Sequence, residues 1–288
     1  MTKWKRVLSV FKASFQRWSD ENGARLGAAL SYYTAFSIAP MLLLAIAIAG
    51  LAFGRDAARG EIFSQITGLV GPQAAKLIQT MLQAADKPAS GVIATVIGVL
   101  SLLLGASGVM TEMKNALNRL WRVHDRSGIG GFVMARVKAV GMILVIGFLL
   151  LVSLAVSAGL AALGKYLHGV LPLPESALHI LNNLISLGVI TVLFAVLFRF
   201  LPDAVIRWHD VWIGAALTSA LFVVGKFALG VYLGKGAVGS AYGAAGSVLI
   251  VLAWVYYSAQ IFYFGAAFTA AYAERLGAGI KEAASRAA

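Results

Sequence analysis

Polar side chains that could bind a substrate lie within one long apolar segment, residues 28–53. Tyr33, Ser37 and Pro40 follow one another at spacings of four and three, which places them on one face of a helix. Proline lacks the N–H that continues a helix, so we expect a kink at Pro40 and an unpaired carbonyl at Phe36. Hydroxyls beside a free carbonyl can bind a polar ligand. The alternative is that these groups only pack against a neighbouring helix.

A second polar face lies near the end of the sequence, in residues 244–270, where Tyr257 and Gln260 are three residues apart. An amide in an apolar helix needs a hydrogen-bond partner from a neighbouring helix, water or a ligand. Lys226 is the one cation inside another apolar segment, residues 211–233. It could face an interior cavity and attract an anion, or its aliphatic stem could carry the charge to the membrane boundary.

The remaining ionisable residues argue against enzymatic chemistry. The chain has no cysteine, and its four histidines stand far apart and form no metal-binding pattern. We therefore expect no cofactor, no metal site and no catalytic residues. Glu112, Lys114 and Arg199 flank the ends of apolar segments, where we expect them to act as interfacial anchors.

The composition shows which elements must position these residues. Hydrophobic residues make up 60% of the 288 residues and charged residues only 12%, about half the charged fraction of a soluble domain. Crossing about 30 Å of hydrocarbon takes roughly 20 helical residues. The segments that meet this length are at about 28–53, 91–113, 138–163, 178–200, 211–233 and 244–270. The sequence thus predicts an all-α, polytopic membrane protein with six transmembrane helices.

The distribution of positive charge predicts the orientation of these spans. One side of the predicted membrane carries 17 Lys and Arg residues and the other side six. The positive-inside rule therefore places both termini in the cytoplasm. The net charge of +12 follows from this topology, with attraction to anionic membrane lipids added, and we expect no nucleic acid partner. The sequence does not indicate an oligomeric state.

Two further helical elements are predicted outside the spans. Residues 1–23 form a cytoplasmic amphipathic helix, which lies in the membrane interface or docks on the bundle. Its apolar stripe consists of Trp4, Leu8, Phe11, Phe15 and Trp18. Residues 60–86 form an external helical hairpin that is broken at Gly71-Pro72. The membrane domain is predicted to cover residues 24–275, followed by a cytoplasmic tail at 276–288.

Four segments resemble successive motifs of the YihY/virulence factor BrkB family. They are AALSYYTAFSIAP, GASGVMTEMKNALNRLWRV, RFLPDAVIRWHDVWIGAALTSALFVVGKFALGVYLG and SAYGAAGSVLIVLAWVYYSAQIFYFGAAFT. The resemblance implies a bacterial inner-membrane protein of six helices with cytoplasmic termini. Besides the residues that could bind a substrate, the resemblance assigns Pro202, Tyr242 and Gly243 to helix packing or to hinges. We expect the same role for Gly246. Ala267 stands where the family usually has Glu.

The resemblance implies less about activity. Members of the family have been linked to serum resistance and to export of anionic molecules such as lipid precursors or cyclic nucleotides, and the ribonuclease label once given to some members is regarded as a misassignment. We therefore expect a transporter or exporter of an anionic molecule, amphiphilic or nucleotide-like, with a polar seam between spans one, five and six. The alternative is a membrane scaffold that supports the envelope without transport.

Overall fold

The computed structural model describes residues 3–54, 72–85, 108–123, 175–234 and 246–282, with a few isolated residues between 56 and 67. Almost all of these residues are helical. The helices are α1 (Lys3–Asp20), α2 (Gly23–Phe53), α3 (Pro72–Ala85), α4 (residues 108–121), α5 (Glu175–Phe200), α6 (Trp208–Gly234) and α7 (Gly246–Arg275).

Three of the described helices contain stretches long and apolar enough to cross a membrane. These stretches are Asn183–Phe200 in α5, Trp208–Leu229 in α6 and Val248–Arg275 in α7. They correspond to the last three predicted spans. The first predicted span lies within α2, whose backbone stays helical from Gly23 through Pro40 to Phe53. The predicted span at 138–163 and most of that at 91–113 lie outside the described residues.

Helices α6 and α7 meet at a reciprocal joint of glycine and threonine. Thr218 of α6 lies against Gly265 of α7, and Thr269 of α7 lies against Gly214 of α6. Each threonine hydroxyl donates to a carbonyl four residues earlier in its own helix, so no polar group is left unpaired at the contact. Small residues let the two backbones approach closely, which is how helices associate when no hydrophobic force drives them together in lipid.

The main apolar core lies between the start of α2, the whole of α4, the end of α5, the start of α6 and the second half of α7. Its largest fully buried side chains include Trp121, Phe198 and Tyr263. A smaller core lies further along α2, where Ile46 packs with Ile78 and Leu82 of α3. Helix α3 is the second helix of the predicted external hairpin, and residues of the first helix lie mostly outside the described part of the chain.

The prediction of a purely helical chain needs a small correction. Ala204–Val205 and Lys281–Glu282 form a two-stranded antiparallel ladder, β1 and β2, with Ala204 opposite Glu282. Through this pairing, the segment after α7 is hydrogen-bonded to the turn between α5 and α6. Two-residue strands carry no alternating hydrophobic pattern, so they cannot be recognised in the sequence.

Helix α1 docks on α7 with a face adjacent to its predicted apolar stripe. Val10, Ser14 and Arg17 are buried, whereas Trp4 is 74% exposed and Phe15 is 60% exposed. Trp4, Leu8 and Phe15 of the stripe are thus exposed, whereas Phe11 lies against Phe268 of α7 and Trp18 packs against the main core. A tight turn leads into α2, in which Asn22 adopts the left-handed conformation that asparagine tolerates better than most residues.

Docking of α1 is expected to depend on the ion pair between Arg17 and Glu274. The Arg17 Nη2 atom lies 2.7 Å from Glu274 Oε2 and also donates to Oε1, and the Arg17 side chain is almost fully buried. Substituting Glu274→Gln keeps the shape but removes the charge that pairs with the guanidinium. We expect hydrogen exchange in α1 to become at least several-fold faster while α6 is unchanged. Equal exchange in both proteins would contradict this account of docking.

Candidate functional site

The structure places the predicted residues of span one on α2. Ser37 is 1% exposed, and its hydroxyl donates to the Tyr33 carbonyl at 2.8 Å. The Tyr33 ring lies against Gly108 at the start of α4 and is 43% exposed. Pro40 lies within the helix, and its side chain is outside the described part of the structure. The Ser37 hydroxyl therefore has a partner in its own helix, and the role of these residues in binding stays a prediction.

Tyr257 lies at the contact between α6 and α7, and Lys226 lies next to this contact in the sequence of α6. The Tyr257 ring packs on Gly225, the residue before Lys226. The Lys226 side chain is exposed, as are Val224 and Phe227 beside it, at 68% and 76%. An exposed lysine among exposed apolar residues favours the alternative in which its stem carries the charge to the membrane boundary. An interior role for Lys226 stays a prediction.

Gln260 points from α7 towards α2. Its amide occupies the space in which a side chain at Gly27 would lie. Both polar atoms of the amide are buried and have no hydrogen-bond partner among the described residues. An amide without a partner in a buried site is unusual, because leaving such a group unpaired costs about 1–3 kcal/mol. Gln260 is thus the predicted residue whose hydrogen-bonding capacity is unmet among the described residues.

The residues predicted for packing or hinges fall into two groups. Pro202 is buried in the turn between α5 and β1, and Gly246 is the first residue of α7. Tyr242 and Gly243 lie outside the described residues. Pro202 is thus buried, and the packing or hinge role of these residues stays a prediction.

An apolar cavity of about 260 Å³ lies between α2, α5, α6 and α7, close to the residues discussed above. Its walls include Leu30 of α2, Phe194 of α5, Phe222 of α6, and Trp254 and Phe262 of α7. Thr34 and Ser258 also line the cavity, whose surface is almost wholly apolar. Each of these two residues is next in sequence to a residue that we predicted to bind the substrate. The described residues that line the cavity do not include the predicted residues themselves, namely Tyr33, Ser37, Lys226, Tyr257 and Gln260. The cavity thus lies beside the predicted segments of α2 and α7, and the binding role of the predicted residues stays a prediction.

A buried polar network joins α4 to the turn after α5. Lys114 Nζ lies 2.6 Å from Asp203 Oδ2, and both side chains are at most 10% exposed. Asn118 donates to Asp203 Oδ2 at 3.2 Å and accepts from the Asp203 backbone N–H at 2.9 Å. The prediction that Lys114 is an interfacial anchor is therefore wrong, since it is a buried ion-pair partner. Its partner stands 89 positions away in the sequence, so local spacing could not reveal the pair.

The same end of α4 is fixed to α7 by Trp121. The indole N–H donates to the Ala266 carbonyl at 3.0 Å. Ala267, where the resemblance described above led us to expect a Glu, is fully buried in the surrounding core. The register of α6 and α7 at the glycine and threonine joint places Ala267 near the level of residue 216, about 15 Å along the axis from Lys226. A carboxylate at position 267 would therefore not pair with Lys226.

Metal binding finds no support in the described part of the chain. Among those residues, no three His, Asp or Glu side chains come together closely enough to hold a metal ion.

The membrane-crossing stretches of α5, α6 and α7 and the apolar cavity among them define an integral membrane protein built from several helical spans. Comparison of the sequence with protein families identifies the family. The profile described as Virulence factor BrkB matches residues 14–288, and the chain belongs to this family.

Individual relatives agree with this assignment. UPF0761 membrane proteins from Albidiferax ferrireducens and Methylibium petroleiphilum are 27% and 30% identical over 96% and 93% of this chain, covering 64% and 63% of their own lengths. A UPF0761 membrane protein from Pseudomonas aeruginosa is 28% identical over 87% of this chain and 59% of its own length. The chain thus spans about three fifths of the length of these relatives. No solved structure matches the chain.

Proposed function

We propose that this protein is a bacterial inner-membrane transporter that exports an anionic amphiphile, with both termini in the cytoplasm. The observation that carries the proposal is the apolar cavity between α2, α5, α6 and α7. Sites for small molecules are concave and mostly apolar, and the walls of this cavity are almost wholly apolar. In the membrane, its contents would be hydrocarbon chains of lipids or of lipid-like substrates.

The cavity is large enough to hold part of an amphiphile but too small to hold a whole two-chain lipid. Its volume of about 260 Å³ exceeds the roughly 150 Å³ of an engineered protein cavity that binds benzene. It falls just below the roughly 300 Å³ at which small-molecule pockets begin. A single hydrocarbon segment therefore fits, and the polar part of the molecule must extend beyond the apolar walls.

The distribution of positively charged residues supports an anionic substrate that enters from the cytoplasm. The predicted cytoplasmic side carries 17 of the 24 Lys and Arg residues. Such an excess attracts anionic groups to the membrane surface, in addition to its role in setting topology. Membrane lipids are the partners that this arrangement implies, and the polar seam between the first, fifth and sixth spans remains the proposed route.

Filling the cavity is expected to slow transport. Ala259 is 3% exposed and lines the cavity, so an Ala259→Leu substitution adds three carbon atoms to its space. We expect the variant to move a fluorescent single-chain phospholipid across the bilayer of reconstituted vesicles at least tenfold more slowly than the unmodified protein. Ala253→Leu makes the same change at an exposed position of the same helix and should transport normally.

The same measurement separates transport from a scaffold role. If the unmodified protein moves the probe no faster than empty vesicles do, the scaffold alternative replaces the proposed function. If both leucine variants transport at the unmodified rate, the protein is a transporter but the cavity is not its substrate site.

A further inference from the structure

Helix α1 has an apolar face that the described part of the chain leaves largely exposed. This apolar face consists of Trp4, Leu8 and Phe15, which are 74%, 56% and 60% exposed. Spacings of four and seven residues place the three side chains on one side of the helix. The docked face of α1, which contacts the bundle, lies about a third of a turn away around the helix axis. One face of α1 thus holds the bundle, and the other is open to a partner.

Two lysines border the apolar face on the side away from the bundle. Lys5 and Lys12 are both exposed and lie seven residues apart, so they stand along one line of the helix. Asp20, the sole carboxylate of α1, is its last residue. An apolar face bordered by lysines is typical of helices that lie in a membrane interface, with the ammonium groups among the lipid headgroups.

The contacts of the docked face set the depth of α1 along the membrane-crossing helices. Val10 and Phe268 of α7 belong to a cluster against which Ile213 and Leu217 of α6 pack. These two residues of α6 follow its first residue, Trp208, by about 8 and 14 Å along the helix axis. Interfacial helices bury their apolar face about 5–10 Å into the boundary between headgroups and acyl chains. Helix α1 is therefore docked close to the depth that such a helix occupies.

Tryptophans of α6 mark the membrane boundary at the same level. Trp208 and Trp212 lie one helical turn apart and are each 43% exposed. Tryptophan is enriched where hydrocarbon meets the headgroups. Further along α6, Val224 and Phe227 are exposed as well, as expected for the side that faces lipid. Ile213, which packs on the cluster of Val10, directly follows Trp212, so α1 lies next to the lipid-facing side of α6.

We propose that the apolar face of α1 binds the surface of an anionic bilayer, in the leaflet at the C-terminal end of α7. Trp4, Leu8 and Phe15 insert among the acyl chains, and Lys5 and Lys12 bind the phosphate oxygens of anionic phospholipids. A bilayer fits this face better than a soluble protein does, because α1 is held at the level where the bilayer surrounds the bundle. The inference does not rest on the proposed transport function, since a scaffold would use the same surface.

A single fluorescent label can report where the apolar face lies, because the sequence contains no cysteine. Leu8→Cys and Gln16→Cys are each labelled with bimane, and the full chain is reconstituted in nanodiscs that contain a lipid with a nitroxide near the top of its acyl chain. Nitroxides quench bimane only at short range. We expect quenching at residue 8 to be about threefold stronger than at residue 16, an exposed position outside the apolar face.

Lipid selectivity tests the role of the lysines. The label at residue 8 is measured in nanodiscs of equal parts phosphatidylglycerol and phosphatidylcholine, with the nitroxide on one lipid or on the other. We expect nitroxide-labelled phosphatidylglycerol to quench about threefold more strongly, because lysines near the surface attract anionic lipids. Adding Lys5→Gln and Lys12→Gln should abolish this preference. Arg119→Gln with Arg207→Gln removes the same charge at exposed positions outside α1 and should leave the preference unchanged.

Three outcomes contradict the inference. If the label at residue 8 is quenched no more strongly than the label at residue 16, the apolar face lies outside the bilayer, and a disulfide between two Leu8→Cys chains would identify a second copy as its partner. Equal quenching by the two lipids overturns the preference for anionic lipid. Loss of the preference in the arginine variant shows that the lysines of α1 do not select the lipid. All substituted residues are exposed, so each variant should fold normally.

Discussion

Substituting Asp203→Ala is expected to lower the free energy of unfolding by about 3–5 kcal/mol, the range found when one partner of a buried ion pair is removed. The Lys114 ammonium would lose the carboxylate that lies 2.6 Å away, in a site where its own side chain is only 10% exposed. Asn118 would lose an acceptor as well. The penalty arises mainly from the buried charge that remains, because water cannot fully replace the carboxylate.

A matched pair of variants isolates this effect. Unfolding is followed by circular dichroism as denaturing detergent is added to the protein in mild micelles. Asp20→Ala removes an exposed carboxylate at the end of α1 and should change stability by less than about 0.5 kcal/mol. Adding Lys114→Met to Asp203→Ala should restore part of the loss, since the buried ammonium is then removed together with its carboxylate. A double variant less stable than Asp203→Ala would show that the ion pair is not the source of the effect.

Substituting Gly265→Leu is expected to force α6 and α7 apart and to destabilise the protein by about 1–3 kcal/mol or more. A side chain at this position overlaps the methyl and hydroxyl groups of Thr218. Thr218 is fully buried and cannot move aside without breaking its own bond to the Gly214 carbonyl. Because the joint is reciprocal, Gly214→Leu should act in the same way through Thr269.

Gly188 of α5 provides the control for helix propensity. A side chain added there meets no atom within 4 Å, so Gly188→Leu should be neutral or slightly stabilising. The same detergent titration measures all three leucine variants. If Gly265→Leu were as stable as Gly188→Leu, the close approach of α6 and α7 would not be needed for the fold.

Much of the helical framework could be predicted from hydrophobic length and charge alone. The predicted span at 211–233 lies within Trp208–Gly234, and the predicted amphipathic helix at residues 1–23 contains Lys3–Asp20. These elements depend on local composition. The family could likewise be predicted, because the motifs that carry the resemblance are contiguous, and the match to residues 14–288 confirms it.

The contacts that join the helices could not be predicted in the same way. Asp203 follows Leu201-Pro202 in a short turn, and nothing in that turn identifies Lys114 as its partner. One signal was present and was missed. The sequences GAALT at 214–218 and GAAFT at 265–269 repeat the same pattern, and these two segments form the reciprocal joint of α6 and α7.

The candidate site was predicted only as far as its helices. Spacing placed Tyr33 and Tyr257 on polar faces, but side chains one position away line the cavity, namely Thr34 and Ser258. A helical pattern specifies which residues share a face, whereas the rotation of that face relative to other helices is decided by packing across the whole bundle.

The reciprocal joint makes α6 and α7 a single mechanical unit. Separating these two helices would expose two glycine surfaces and two threonine side chains at once. The contact between α2 and α7 is different, since the Gln260 amide packs on Gly27 and gains no hydrogen bond from it among the described residues. Sliding of α2 along α7 thus breaks no hydrogen bond of that amide. At this position the contact between α2 and α7 is therefore held by packing, whereas the joint of α6 and α7 combines close backbone approach with fully paired hydroxyls.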